Sequence, residues 1–508
     1  MVDIHKKLLS KGYFPDEMGF WVNSMDFANV KSKINLRIQL DRRKLSKPMK
    51  FSIPKGKYNR RRLAVPNPYH YFFLCKEMHR SWSALEAHIK SSTISLTTPI
   101  LKSKSTRAIS RKFSFEQISS MFINASVGAN YVLKTDISMY YSTIYTHSIP
   151  WALHGKTVAK ANRSDGLLGN FLDRLVRNGQ DGQTMGIPIG PDTSLIISEI
   201  IGVALDNYLI NKNNYISAFR YIDDYYVFYN SMSDAEETLA ELQKVVGDYE
   251  LDLNREKTKI LEMPQSIEPI WVSQINNIVL DNNHLISFIS LVYSLIKQYP
   301  NEDILRYALA RLKKLKINKK NWEIVQSFIL NSILYDSSGM PLACSILSEY
   351  YHKKFGIDKN KIIKTLENII MRSKHSNCDY ELVWMLWLAH LLKVRLTDDM
   401  LVELSDTEHP LVILILLSTS SHRKSLNKTK WIEYMVEESL YNDYWLLAYE
   451  AYVRGWLYSK TGVNYIENDE FFKILKDNEV HFFDTNCRQH WINKNIDKKW
   501  LPIFSPAF

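Results

Sequence analysis

Residues 219–228 read Phe219-Arg220-Tyr221-Ile222-Asp223-Asp224-Tyr225-Tyr226-Val227-Phe228, and no other stretch constrains the fold as tightly. Two adjacent aspartates lie between runs rich in Tyr, Phe, Ile and Val, the pattern of a β-hairpin with the acidic pair at or beside its turn. Neighbouring like charges repel and add nothing to the stability of a hairpin. A divalent metal reverses that logic, because crowded carboxylates become ligands for Mg²⁺. A lone Asp-Asp pair is ordinarily a solvated turn. A third carboxylate on another strand gives the pair a different meaning.

That third carboxylate is Asp136. The run Tyr131-Val132-Leu133-Lys134-Thr135-Asp136 reads as a strand ending in the aspartate, followed by the more helical Ile137-Ser138-Met139-Tyr140-Tyr141. An Asp at such a junction is commonly a helix N-cap, and a strand end is also where a metal-binding carboxylate is held rigidly. Between Asp136 and Asp223 comes Gly186-Ile187-Pro188-Ile189-Gly190-Pro191-Asp192-Thr193-Ser194, leading into an apolar helix expected over Leu195–Leu209. Glycines and prolines before a helix make a loop whose backbone can approach a ligand; a plain loop-to-helix junction capped by Thr193 or Ser194 fits equally. After the hairpin, Ala235–Tyr249 is amphipathic, and Leu251-Asp252-Leu253-Asn254-Arg255-Glu256-Lys257-Thr258 leads into a further short strand at Ile260-Leu261.

Charge is unevenly placed. Residues 1–120 carry 24 Lys and Arg against 8 Asp and Glu, although the whole chain of 508 residues has a net charge of only +11. One basic face suited to polyphosphate or nucleic acid follows from this, and a solvated basic surface is the plainer reading. Within this quarter, Phe51–Pro66 reads as a hairpin turning at Lys55-Gly56-Lys57, with Arg60 and Arg62 on one face of its second strand and Arg61 on the other. Guanidinium groups on such a ribbon can bind phosphate bidentately. Residues 69–90 are expected to be one helix, and 91–105 a polar loop. Four cysteines, Cys75, Cys344, Cys378 and Cys487, lie too far apart in sequence to suggest a zinc site or a disulfide framework. No signal peptide is legible at the start, and the longest apolar runs look too short to span a bilayer, so the expectation is a cytoplasmic protein without a membrane.

The order of these elements carries more than any one of them. Basic hairpin, strand-end Asp with an aromatic pair, Gly-x-Pro-x-Gly-Pro loop and helix, Tyr-Ile-Asp-Asp hairpin, then Leu-x-Leu-Asn-x-x-Lys-Thr: over roughly residues 50–270 this resembles the fingers and palm of reverse transcriptases. Within that family, Tyr140–Lys156 and Gly186–Ser194 look like the bacterial abortive-infection (antiphage defence) enzymes, the AbiK-like group. Retron enzymes usually carry Pro-Gln-Gly where this chain has Pro188-Ile189-Gly190; no Val-Thr-Gly follows the palm, and no Cys-rich nuclease module is present.

The resemblance implies an α+β fold: a fingers-like region over 1–125, a palm over 126–272, and an all-α, helical-repeat (HEAT-like) domain over 273–508. It implies that Asp136, Ile137, Asp223 and Asp224 hold two Mg²⁺ ions, with Asp223 ranked above Asp224, and that Asp136, Asp223, Asp224 and Lys257 are catalytic. Lys55, Lys57, Arg61 and Arg62 are expected to bind the dNTP triphosphate. Tyr141 corresponds to the family's steric gate, and Gly186, Pro188 and Gly190 to the loop under the nascent base pair. Lys257 corresponds to the lysine near the departing pyrophosphate. From the same resemblance come priming on an unidentified tyrosine, synthesis without a template or on a bound non-coding RNA, single-stranded DNA attached to the protein, and assembly into trimers or hexamers. A conventional RNA-templated, nucleic-acid-primed enzyme of retron type is the alternative, and an inactive polymerase-fold scaffold the second. Beyond residue 275 the chain is a succession of amphipathic segments, among them Ile304–Leu315, Trp322–Leu334, Tyr380–Val394 and Trp431–Leu440. Their Trp and Tyr residues are expected in the core rather than as a base-stacking platform.

Overall fold

The computed structural model describes residues 3–56, 59–102, 105–110, 112–113, 115–212, 214–419 and 422–485. Its centre is a four-stranded antiparallel sheet, in the order β4-β5-β3-β6, where β3 is Tyr131–Asp136, β4 is Ser217–Tyr221, β5 is Asp224–Tyr229 and β6 is Lys259–Glu262. The period of two divides the strands cleanly. Leu133, Val227 and Tyr229 face the helix Met232–Asp248, with Ala235 among them. Val132, Phe219, Tyr226 and Phe228 face the opposite way, against Phe122 of the helix Phe115–Ala125 and against Leu261 and Met263.

The expected apolar helix begins at Asp192 rather than Leu195 and runs to Lys212. Neither Thr193 nor Ser194 starts it; Asp192 does, accepting a hydrogen bond from the Ile109 amide (2.9 Å) and pairing with Arg107. It is the one helix among the described residues that is long and apolar enough to cross a membrane, and 72% of its apolar window is buried inside the fold. The expected helix over 69–90 is two helices, Pro68–Arg80 and Trp82–Ile89. At the break, the Ser81 amide closes the first helix on the Glu77 carbonyl (2.9 Å) and the Ser81 hydroxyl donates to the Glu77 carboxylate (2.8 Å).

The basic ribbon consists of β1 (Met49–Lys55) and β2 (Asn59–Val65), paired from Met49↔Val65 to Lys55↔Asn59. Beyond β6 the described secondary structure is helical: Ile304–Lys314, Trp322–Tyr335, Met340–His352, Lys359–Ser373 and Asp379–Leu391 follow the sequence pattern to within a few residues. Trp431–Leu440 does not form the expected helix. One turn, Thr429–Ile432, ends where Trp431 donates its indole N–H to the Thr407 carbonyl (2.8 Å) and Tyr434 stacks on Tyr444 at 3.8 Å, and a 3₁₀ turn over Glu437–Tyr441 follows. Cys75, Cys344 and Cys378 are free thiols; Cys487 lies outside the described residues.

The hydrophobic core is continuous from Ile4 to Phe483. Trp21, fully buried, meets Trp384 edge-on at 4.8 Å and lies 6.1 Å from Trp387, while Phe27 packs on Phe482 at 5.4 Å. The aromatic stripe of the helix Asp379–Leu391 is therefore interior. Trp21→Ala leaves a large cavity at this junction, and it should destabilise the protein by about 3–5 kcal/mol, read as an earlier midpoint in urea. A midpoint unchanged from wild type would mean the N-terminal segment does not hold the helical half.

Candidate active site

Strand register and the adjoining turn bring three carboxylates near one another. Asp136, last in β3, is the direct partner of Asp224, first in β5, so both side chains leave the same face of the sheet. Asp223 is the second residue of the two-residue turn Ile222-Asp223, and its carbonyl accepts the Ile137 amide at 3.2 Å, tying the turn to the end of β3. Ile222 has φ +60°, and a β-branched residue in that region costs about 1–3 kcal/mol unless its surroundings hold it.

They do hold it. The Ile222 carbonyl accepts from Arg220 Nη1 (2.8 Å), and the Ile222 amide donates to Thr97 Oγ1 (3.3 Å). Arg220 is 1% exposed and bonds Asp206 through Nε and Nη2 (both 2.7 Å) and Glu199 through Nη1 and Nη2 (3.2 and 3.1 Å). Tyr225 and Ser92 donate to Asp206, and Thr97 and Ser95 to Glu199. A side chain at Gly202 would place its Cβ 2.7 Å from the guanidinium, so the glycine makes room for it. Burial disfavours the Arg220 cation, but Asp206 and Glu199 outweigh that and hold its pKa well above the ordinary value. Nothing in the pattern of an apolar helix announces this network; the only signal is two acids, Glu199 and Asp206, seven residues apart on one helical face.

Burial and the neighbouring carboxylates push Asp223 up to about 6 and Asp224 up to about 7. Asp224 Oδ1 is buried with no hydrogen-bond partner. Hard oxygen donors crowded together with an orphaned lone pair fit Mg²⁺, and Ile137 can add only its carbonyl. Among the described residues no three acidic, His or Cys side chains stand converged on one point as metal ligands. Instead Asp136 Oδ2 is paired with the Lys257 ammonium. The loop carrying Lys257 is pinned to the end of β3 by Asn254 N–H to the Asp136 carbonyl (2.7 Å) and by Thr258 against Thr135 (2.7 Å). Burial pulls the Lys257 pKa down, yet the bond to Asp136 and the fields of Asp224 and Asp223 raise it above the ordinary lysine value.

The charges of Lys55 and Arg61 are also felt at this centre. Burial and the positive charges of Arg61 and Lys257 lower the Lys55 pKa, with Asp136 and Asp223 opposing, while Arg61 acts on Asp223 in turn. Arg62 does not join them: alternation turns it to the other face of β2, with Arg60. Lys57 lies outside the described residues. Burial raises the Tyr141 pKa; its hydroxyl accepts from Ser198 (3.1 Å), and the charges of Asp223 and Arg61 reach it. The glycine loop lies beside Tyr141. The Ile187 amide donates to the Tyr141 carbonyl (2.8 Å), and the Ile189 carbonyl accepts from Ala64 of β2 (2.9 Å) on the far side of Pro188. Gly186 has φ +83° with Ser142 close by, and Gly190 has φ +124°, where a Cβ would strike Pro15 at 2.3 Å. The loop thus spans from Tyr141 to the basic ribbon.

The family model described as reverse transcriptase (RNA-dependent DNA polymerase) matches residues 72–282, which include Asp136, Asp223, Asp224 and Lys257 but not β1 and β2. That segment is a reverse transcriptase domain, the unit of an RNA-directed DNA polymerase. No curated protein matches the chain in sequence. Among solved structures the chain is similar to apo telomerase from Candida tropicalis truncated from its C-terminal domain (12% identity, TM-score 0.33, 47% of this chain and 54% of that one). It is also similar to telomerase from Candida albicans in complex with a TWJ fragment of telomeric RNA (11%, 0.31, 71% and 69%). The chain spans about half the length of the first of these.

Because the folded pKa values of Asp223 and Asp224 lie above the unfolded ones, the folded state binds more protons between the two. Stability of the metal-free protein therefore falls as pH rises through about 4 to 7. Melting in a chelator should show this loss, Asp224→Asn should remove a large part of it, and added Mg²⁺ should raise the wild-type melting temperature at pH 8. A metal-free wild type that gains stability over that pH range would show that the pair is not strained by its own charge.

Proposed function

With residues 72–282 a reverse transcriptase domain as the premise, we propose that this protein is a DNA polymerase of bacterial antiphage abortive infection, AbiK-like, joining dNTPs with two Mg²⁺ ions and priming synthesis on one of its own tyrosines. The observation that carries the chemistry is the meeting of Asp136, Asp223 and Asp224 with Lys257 and the basic ribbon. The abortive-infection reading is supported by the Tyr140–Lys156 and Gly186–Ser194 sequences and by the helical half that follows the sheet.

Asp136, Asp223, Asp224 and the Ile137 carbonyl would hold the ions, which when bound supply a lowered pKa for the attacking hydroxyl and charge neutralisation at the phosphates. The chain's own groups do the rest. Lys55 and Arg61 bind and orient the triphosphate. Tyr141, fixed by Ser198 and by the glycine loop beneath, closes against a 2′-hydroxyl and so favours dNTPs. Lys257, held protonated by the carboxylates around it, keeps a proton at the position of the departing pyrophosphate. Single-stranded DNA joined to the protein is the product, untemplated or copied from a bound non-coding RNA, and trimers or hexamers are the proposed assembly.

The purified protein with Mg²⁺ and labelled dNTPs, without primer or template, should become labelled itself, and protease should free the label as DNA. RNase sensitivity of the synthesis then separates the RNA-copying form from the untemplated one. Incorporation that begins only when a primer–template is supplied would instead establish the conventional, retron-type enzyme. Asp223→Asn should reduce incorporation by at least about a thousandfold while leaving the fold intact. Tyr141→Ala should weaken discrimination against rNTPs by about a hundredfold, measured as the ratio of kcat/KM values.

A further inference from the structure

We infer that Glu381, in the helical half, is a positioning residue for the nucleotide site: through Arg60 it fixes the β1–β2 ribbon so that Lys55 and Arg61 face the carboxylates. This rests on the polymerase reading above. Glu381 lies in the first turn of the helix Asp379–Leu391 and is 5% exposed. Arg60 binds it bidentately, Nη1 to Oε1 at 2.8 Å and Nη2 to Oε2 at 3.0 Å. The same guanidinium donates to Ser52 Oγ (2.7 Å) and to the Ser52 carbonyl (2.8 Å). One side chain thus locks β2 to β1 and both strands to the helix. A planar fork with five donors can do this; a lysine cannot.

The position of the lock matters for the site. Arg60 precedes Arg61 and pairs across the ribbon with Pro54, the residue before Lys55. Any rotation of the ribbon about this point carries both cations away from Asp136 and Asp223. A two-stranded ribbon is marginal by itself, and in this one the charges of Lys55 and Arg61 oppose each other. The helical half offsets both weaknesses. Phe51 packs on Tyr380 (5.9 Å) and His409 (5.6 Å), the His409 ring meets the Lys50 carbonyl at 3.1 Å, and Gly56 at the tip lies against the Asn301 carbonyl. Asp303 adds a negative charge felt by Arg61 and Lys55. The ribbon is therefore seated on the helices from base to tip, and Glu381–Arg60 is a half-buried ionic contact between them.

The test uses the full chain, with Glu381→Gln and Glu381→Asp. Steady-state kinetics give KM for dNTP and kcat, and amide hydrogen exchange is followed over 49–65 and over the palm strands. Glu381→Gln should raise KM about tenfold with kcat within about twofold, since it loosens nucleotide binding and leaves the carboxylates in place. It should also speed exchange in 49–65 and not in 131–136 or 217–229, and Glu381→Asp should recover most of the loss. A wild-type KM with wild-type exchange would overturn the inference, as would a fall in kcat at constant KM with faster exchange everywhere, the signature of general destabilisation. Exchange needs no turnover, so a wild type that incorporates no dNTP would refute the polymerase reading while exchange still decides whether Glu381 holds the ribbon.

Discussion

The buried Arg220 guanidinium, with Glu199, Asp206 and the Ile222 carbonyl around it, is the interaction on which the site depends. A buried ion pair is weak evidence for stability, because desolvating the charges offsets most of their attraction. Here its use is geometric. The turn at Ile222-Asp223 puts a β-branched residue in a left-handed conformation, and Arg220 and Thr97 hold that residue's carbonyl and amide. With the turn fixed, Asp223 follows Ile222, and the pairing of Asp136 with Asp224 brings the third carboxylate alongside. One positive charge against two acids leaves an excess of negative charge, and Tyr225, Ser92, Ser95 and Thr97 satisfy it with donors.

The remaining parts are arranged around that fixed point. The loop bearing Lys257 is bonded to the end of β3, so the ammonium reaches Asp136. The glycine loop joins Tyr141 to the second strand of the basic ribbon, and the ribbon's other side rests on the helical half. The two ends of the chain share one core through Trp21, Trp384 and Trp387 and through Phe27 and Phe482. A helical segment remote in sequence is thus mechanically part of the proposed nucleotide-binding surface.

What was legible in the sequence was local. The Asp223-Asp224 hairpin, the strand ending at Asp136 and the glycine loop each carry a short-range pattern, and the structure places them where that pattern suggests. The helices after residue 300 follow their apolar period. The misreadings also have local causes: the helix breaks at Ser81, whose hydroxyl bonds the Glu77 carboxylate, and the ring stack of Tyr434 on Tyr444 interrupts the one expected at Trp431. The Arg220 network was not legible, because Glu199 and Asp206 sit inside an apolar helix and their partner is on a distant strand. Arg60 and Arg62 looked equivalent on one strand face; only tertiary packing gives Arg60 its partner Glu381, and alternation leaves Arg62 away from the carboxylates.

The most direct test of this account neutralises the whole buried network at once, with Arg220→Met, Glu199→Gln and Asp206→Asn in one chain, so that no charge is left buried without a partner. Mg²⁺ binding by calorimetry and Mg²⁺-dependent dNTP incorporation are then compared with wild type, with circular dichroism and thermal melting as the check on folding. The triple variant should fold, with lower Mg²⁺ affinity and incorporation down by about a hundredfold, because the turn no longer holds Asp223 and Asp224 toward Asp136. A folded triple variant with wild-type Mg²⁺ affinity and wild-type incorporation would contradict it.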